Sequence, residues 1–512
     1  MSVKTFAAID VGSYELTLKI FEFPGNNSMR EIDCVSRRLD LGSDTYATGK
    51  ISNEKMEDLC RTLKDFWEIM RSYKVNDYKA YGTSAIRETQ NTTIVLDQIA
   101  QRTGIRMDIL GNSEQRFMDY KAAASKGESF RKVIEEKTAI LDIGGGSIQI
   151  SLFDNDNLVS TQNLRLGVLR IQEYLNRFAA KSFQKEDFIN EMAMARLGTY
   201  KRMYLKDREI KNLIVIDDYL SPWAVKKSAK NGSGPVMEAA EFDKLFERLR
   251  GRDLGQIAAS MNMPQERVPL VFISAVLIRC IGQLMGAQRI WAPGVTLCDG
   301  IAYEYGEKMK MIQGEHDFEE DIIACAVNIS KRYLGIRKRS ETLENLTTVI
   351  FDSMKRIHGL GKRERLYLRL AAILHDCGKY VSLINTGETS YQIVMATEII
   401  GLSHQERKIV ANVVRFNHSG FVYDGQQADS MGREAFLIVA KLTAILRLAS
   451  SLDRSHRQKL QGLKAALRDG QMILTVDTQE DITLEKGFFE ANREFLKEVF
   501  SVEKVLKQSK IL

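Results

Sequence analysis

The sequence predicts an α/β protein with one half-domain present in two copies around a central cleft. An all-α domain and a small α+β tail follow. Three observations carry this expectation. First, an apolar strand, an aspartate, a small-residue turn and a second apolar strand occur twice, about 130 residues apart. Second, all six prolines lie before residue 294, so nothing behind them removes an amide donor from a helix. Third, apolar spacing in the front half switches between alternation and a helical repeat, then stays helical to about residue 468.

The chain has 512 residues, enough for about three domains at roughly 150 residues each. Hydrophobic residues make up 44% and charged residues 27%, which excludes a disordered, collagenous or disulfide-stapled chain. No uninterrupted apolar run reaches the roughly 18 residues of a bilayer span. Asp10 interrupts the first apolar stretch where a signal peptide would continue, so the expected location is the cytoplasm. The six cysteines contain no C-x-x-C pair and read as buried, reduced thiols.

In chain order, Phe6–Ser13 and Leu16–Phe21 read as two strands joined by a tight turn. Asn53–Tyr73 is a helix, Tyr78–Ser84 a strand running into a polar loop, and Thr92–Thr103 a helix. The second copy opens with Thr138–Ser147 and Ile148–Phe153. Residues 224–240, carrying Lys226, Lys227 and Lys230 with Asn231, Gly232, Ser233 and Gly234, read as a surface loop. Met472–Asp477 and Asp481–Leu484 are expected as a hairpin, and Glu490–Lys507 as a closing helix. The expected domains are residues 1–125, 126–310, 311–468 and 469–512.

An aspartate at a strand end, followed by residues without bulk, lets backbone amides approach phosphate oxygens. Asp10 with Gly12 and Ser13 offers one such turn; Asp142 with Gly144, Gly145, Gly146 and Ser147 offers the other. Either turn alone is equally a plain tight hairpin. Arg87 and Asn91 are four apart, on one face of a helical turn, where a guanidinium can clamp a terminal phosphate. A surface arginine paired with Glu88 is the other reading. Glu114 opens a helix, either as a first-turn acid favoured by the helix dipole or as a base that deprotonates water.

These segments resemble the exopolyphosphatase/guanosine pentaphosphate phosphohydrolase (Ppx/GppA) family. Ala7–Ser13, Thr83–Glu88, Leu110–Glu114 and Leu141–Ser147 stand in that family's order and spacing, and Leu166-Gly167-Val168 fits a further element. The resemblance implies duplicated actin-like (ribonuclease H-like) domains and hydrolytic release of a terminal phosphate. It implies Glu114 as general base, Arg87 and Asn91 as phosphate clamp, and turns 10–13 and 144–147 as phosphate cradle. Asp142 is then the leading ligand of Mg2+. It also implies a homodimer, which the residues themselves do not reveal. Leu370–Lys379, with His375-Asp376, resembles the signature of an HD-like domain, and Leu446–His456 its last helix. Its metal set is eroded: no His stands near Arg339, and Ser450 replaces the late Asp, leaving His358 and His418 as alternatives.

Departures from the family bear on substrate. Tyr14-Glu15 stands where Asn-Ser is usual, and Ile148-Gln149 where Thr-Glu is usual, removing a charged metal ligand. Asp217-Asp218-Tyr219 replaces a glycine-containing loop, and two acids there would repel a phosphate chain. From residue 321 onward Lys+Arg outnumber Asp+Glu by 29 to 22, a solvated face or a track for a polyanion. The leading expectation is an exopolyphosphatase acting on inorganic polyphosphate. Guanosine pentaphosphate 5'-phosphohydrolysis and non-catalytic sensing of polyphosphate or nucleotide are the alternatives. Neither a membrane nor a specific nucleic acid is expected as partner.

Overall fold

The computed structural model describes residues 3–25, 27–155, 157–178, 185–217, 219–220, 236–250, 253–314, 316–423, 431–460, 462–468 and 470–509. The chain forms two compact units, residues 1–317 and 318–512. In the first unit, one sheet holds β1 (Lys4–Val11), β2 (Glu15–Gly25), β3 (Ser28–Arg38), β4 (Asp77–Gly82) and β5 (Asp108–Ile109). A second sheet holds β6 (Thr138–Ile143), β7 (Ile148–Asp154), β8 (Asn157–Leu164), β9 (Asn212–Asp217), β10 (Val236–Glu238) and β11 (Arg289–Trp291). Their orders are β3-β2-β1-β4-β5 and β10-β11-β9-β6-β7-β8. Each is an antiparallel meander of three strands, with a parallel strand added beside the first. The duplication read in the sequence is therefore a duplication of topology.

Each lobe has its own core. Val11, Leu16, Leu18 and Leu63 pack in the first, and Leu141, Ile150, Val215 and Leu277 in the second. Every residue of β6, a central strand between β9 and β7, is buried. Two helices, Gln265–Met285 and Arg433–Leu452, are long and apolar enough to cross a membrane by length and composition. Their most apolar windows are 72% and 67% buried inside the protein, as core helices are.

The assignment of residues 297–308 to the second half-domain, expected as 126–310, needs correction, and the first compact unit closes at residue 317. Helix Leu297–Lys308 packs on β1, β2 and helix Asn112–Ala124, so it completes the first lobe. Lys19 on β2 is 6% exposed and needs a counter-charge, which Asp299 of this helix supplies at 2.8 Å. Of the loop expected at 224–240, the glycine- and lysine-bearing residues 226–234 lie outside the described residues. Val236–Glu238 is a strand paired with β11, and a helix begins at Ala239. Five cysteines are buried as expected, but Cys34 on edge strand β3 is exposed.

Among its described residues, the second unit carries only helices between Phe318 and Leu452. It ends in a small sheet of β12 (Leu463–Arg468), β13 (Gln471–Asp477) and β14 (Glu503–Ser509). The expected hairpin is shifted by one strand: Met472–Asp477 pairs with residues 463–468, and Thr483 starts a helix instead. The closing helix stops at Phe500, where Ser501 takes a left-handed conformation (φ 54°). The chain then returns as β14, parallel to β13.

Candidate active site

The two aspartate turns adopt one geometry. The amide of Gly12 donates to the carbonyl of Glu15 at 3.1 Å, and that of Gly144 to the carbonyl of Ser147 at 3.0 Å. Asp10 and Asp142 occupy matching positions near the ends of β1 and β6. Val168, at the start of helix Val168–Phe178, donates to the carbonyl of Gly144, and Leu169 to that of Gly145. In a trans peptide the carbonyl and the next amide point opposite ways, so the amides of Gly145 and Gly146 face away from this helix. Gly167 is required here, because a side chain would collide with the backbone of Gly145, Gly146 and Ser147.

Between the turns lies a cleft of about 520 Å³. Asp10, Gly12, Ser13, Asp142, Gly144 and Gly145 line it, as the sequence predicts, whereas Gly146 and Ser147 lie behind its wall. Six acids border it (Asp10, Glu15, Glu31, Asp119, Asp142 and Asp217) against two bases, Lys19 and Arg267. Burial pushes Asp10 up to about 7, reinforced by the charges of Asp142 and Glu15. Burial also pushes Asp142 up to about 7, with Asp217 adding to the effect and Asp119, Arg116 and Arg87 opposing it. Oδ1 of Asp10 and Oδ2 of Asp142 are buried without a hydrogen-bond partner. Two desolvated carboxylates with unsatisfied oxygens suit a magnesium ion, which is commonly held by one or two carboxylates and completed by water and phosphate. Among the described residues no group of three or more His, Cys, Asp or Glu is arranged to hold a metal; Asp10 and Asp142 are the residues that would hold the ion.

The other predicted residues divide. Arg87 is not among the residues that line the cleft: its Nη1 donates to the carbonyl of Leu110 at 2.6 Å and to Oε1 of Gln115 at 3.4 Å, and its charge reaches Asp142. Asn91 is not part of a clamp, which corrects the expectation. The helix carrying Arg87 ends at Glu88, Thr89 is extended, and the Asn91 amide pairs with both the N–H and the carbonyl of Ile51. Glu114 is half-buried, and its Oε2 accepts the amide of Gly111 at 3.0 Å, closing the first turn of its helix. The residues that this helix presents to the cleft are Gln115 and Asp119.

Asp217 does line the cleft, but its carboxylate accepts from the amides of Tyr219 (3.0 Å) and Leu220 (2.6 Å) and from Ser274 Oγ (3.0 Å). Asp217 thus faces the cleft, which is the condition for repelling a phosphate chain, and its charge also bears on Asp142; Asp218 lies outside the described residues. Gln149 faces Asp142 across β6 and β7 and accepts from Arg116 Nε at 2.8 Å. Tyr14 sits between the Arg38 guanidinium (5.0 Å) and the Tyr219 ring (6.3 Å) at the same cleft. Sequence reasoning missed Asp119, Arg116 and Arg267. The four-residue step from Gln115 to Asp119 marks a helix face and was available as a signal; Arg267 had none.

In the second unit, His375 and Asp376 meet a cation from the chain itself. Arg339 pairs with Asp376 and lies 3.0 Å from Nδ1 of His456. Lys379 is 2.9 Å from the same carboxylate, His375 3.2 Å and His418 3.6 Å. Burial alone would raise Asp376, but His375, Arg339 and Lys379 hold it far below the usual carboxylate range. Of the two alternative histidines, His418 is present in the cluster. His358 is not; it is buried between Phe351 and Leu360. Ser450 bonds Asn417 at 3.0 Å.

Two lobes of matching topology, with paired aspartate turns facing one cleft, define an actin-like phosphate-handling fold. Residues 25–303 match the Ppx/GppA phosphatase family, and residues 325–497 match domain III of Ppx/GppA phosphatases. The chain belongs to the Ppx/GppA phosphatase family. It is 20% identical over 483 residues to a guanosine-5'-triphosphate,3'-diphosphate pyrophosphatase of Photobacterium profundum, covering 92% of this chain and 91% of the relative. It is 27% identical over 164 residues to exopolyphosphatase 1 of Mycobacterium tuberculosis, covering 32% of this chain and 46% of the relative. The fold is similar to that of an exopolyphosphatase from Cytophaga hutchinsonii, with TM-score 0.52 and 18% identity over 60% of this chain and all of the other.

Proposed function

We propose that this chain is a magnesium-dependent exopolyphosphatase that releases the terminal phosphate of inorganic polyphosphate by attack of water. The observation that carries the reading is the cleft between two matching aspartate turns, with unsatisfied oxygens on Asp10 and Asp142 and the charge of Arg87 acting on Asp142. Asp142 and Asp10 are the residues that hold the ion in this reading; when bound, it supplies positive charge against phosphate oxygens in an otherwise acidic cleft.

The chain's own groups do the rest. The amide of Gly145 and the hydroxyl of Ser13 orient the terminal phosphate, and the charge of Arg87 acts on its oxygens. Glu114 takes the proton of the attacking water as the new P–O bond forms. The bridging P–O bond breaks, leaving orthophosphate and a chain one unit shorter. Arg87 grips Leu110 and Gln115, but of this helix Gln115 and Asp119 line the cleft and Glu114 does not, so the base role of Glu114 rests on the family resemblance. The basic surplus after residue 321 favours a long polyanion as substrate.

A second reading, hydrolysis of guanosine pentaphosphate, is favoured by the near full-length match to a relative named for that class of nucleotide. The test is phosphate release by the full chain from long polyphosphate and from guanosine pentaphosphate, with magnesium or with chelator, at two salt concentrations. The reading expects release from polyphosphate that needs magnesium and falls with salt. Faster release from the nucleotide supports the second reading. Release from neither favours non-catalytic sensing.

A further inference from the structure

Two turns of the second unit put apolar side chains into solvent. The first joins helix Phe318–Arg332 to helix Arg337–Ser353, and the second joins helix Lys362–Leu374 to helix Thr386–Ala396. They carry Leu334, Ile336, Tyr380, Val381, Leu383 and Ile384, all exposed, Leu383 by 81% and Ile384 completely. The Tyr333 and Tyr380 rings meet edge-on, 5.7 Å apart, and join the two turns into one patch.

Backbone hydrogen bonds fix both turns. The amide of Gly335 donates to the carbonyl of Ser330 at 2.8 Å, and a side chain at Gly335 would collide with Ser330. In the second turn the amides of Val381 and Ser382 both donate to the carbonyl of Gly378 at 3.0 Å, and that of Asn385 to Ser382 Oγ at 3.0 Å. Leu334 holds a left-handed conformation (φ 58°), which glycine or asparagine adopts at lower cost, and its side chain is 75% exposed. Little burial within the chain offsets that cost.

The shoulders of the patch are basic. Residues 331–340 hold five Lys+Arg and no acid, and residues 377–387 hold Lys379 and no acid. Arg339 turns inward to Asp376, whereas Lys331, Arg337 and Lys338 are exposed on either side of Leu334 and Ile336 in the chain. Apolar tips with cationic shoulders suit the surface of an anionic bilayer. The tips enter the acyl boundary, the tyrosines lie at headgroup depth, and Lys and Arg meet lipid phosphates. A second copy fits poorly, because a two-fold contact sets one basic rim against another. Run length, the basis for expecting no membrane partner, tests for a span and not for turns that dip into one leaflet. We propose that this patch is a peripheral docking surface for membranes rich in anionic phospholipid. The inference is independent of the phosphohydrolase reading.

The test is co-sedimentation of the full chain with vesicles of phosphatidylglycerol and phosphatidylcholine in equal parts, and with vesicles of phosphatidylcholine alone. Binding should be at least roughly tenfold tighter to the anionic vesicles and should fall with added salt. Leu383→Ser combined with Ile384→Ser should weaken it roughly tenfold or more, as should Lys331→Gln combined with Lys338→Gln, with melting temperatures unchanged. In an Ile384→Trp variant, tryptophan emission should move to shorter wavelength on adding anionic vesicles, as wild-type emission does not. No wild-type binding to anionic vesicles, equal binding to both compositions, or binding that survives the Leu383→Ser and Ile384→Ser changes overturns the proposal. A concentration-dependent dimer abolished by those changes, with no vesicle binding, overturns it in favour of a second copy.

Discussion

Nε of Arg116 donates to Oε1 of Gln149 at 2.8 Å, directly behind Asp142 in the register of β6 and β7. Arg116 is 3% exposed, and its charge bears on Asp142 from the protein side of the cleft. A glutamate at 149 would draw that charge into an ion pair and place a second carboxylate opposite Asp142. Gln149→Glu is therefore expected to tighten magnesium binding by roughly three- to tenfold, the scale of one added charge at short range. Calorimetric titration with magnesium alone measures it, and unchanged affinity contradicts the assignment of Gln149 as the tuning position.

The raised aspartates set a pH dependence of known sign. Below about pH 4 both folded and unfolded chains hold these protons, and no difference arises. Between about 4 and 7 the folded chain keeps protons that the unfolded chain has lost, so stability falls as pH rises through that window. Above 7 the penalty of two buried charges is complete. Asp142→Asn should thus stabilise the chelator-treated protein at pH 8 by something on the order of 2 kcal/mol, and hardly at all at pH 4. Thermal melts of the first unit's transition at the two pH values decide it.

In the second unit, Arg339 and Asp376 are largely buried, with side chains 11% and 15% exposed. Removing the arginine leaves a desolvated carboxylate with less opposing charge. Arg339→Ala is expected to destabilise this unit by about 3 kcal/mol. Asp376 is depressed, so its stabilising contribution is present above the unfolded carboxylate range and is lost only as the solution becomes strongly acidic. Denaturant melts of the variant, with and without chelator, should show the same loss, because the chain's own cations serve this cluster.

The sequence disclosed most of the fold because the signals were local. The Asp10 and Asp142 strands alternate or run apolar, and each ends in residues small enough for a tight turn. The site was legible where turns fix it: Gly12, Ser13, Gly144 and Gly145 lie at the cleft. It was not legible where a helix ends early. Arg87 and Asn91 are spaced for one helical face, but Thr89 turns extended and hands Asn91 to Ile51. Arg267 is 257 positions from Asp10 and reaches the cleft only through tertiary packing, which no local pattern encodes. The composition of Glu490–Lys507 reads as helix, but a break at Asn492 and the left-handed turn at Ser501 divide it, and the part after Ser501 pairs as β14.

Glu114 has one duty in the structure and a second in the proposed reaction, and the two can be separated. Its carboxylate closes the first helical turn onto Gly111, and Gln can make that same bond through its amide oxygen. Glu114→Ala should lose the cap and about 1 kcal/mol of stability, whereas Glu114→Gln should melt like wild type. The deciding measurement is phosphate release from polyphosphate by Glu114→Gln at saturating magnesium. The account predicts a rate at least roughly a hundredfold below wild type, with the melting temperature unchanged. A rate equal to wild type contradicts it and transfers the role of base to the carboxylate that the same helix does present to the cleft, Asp119.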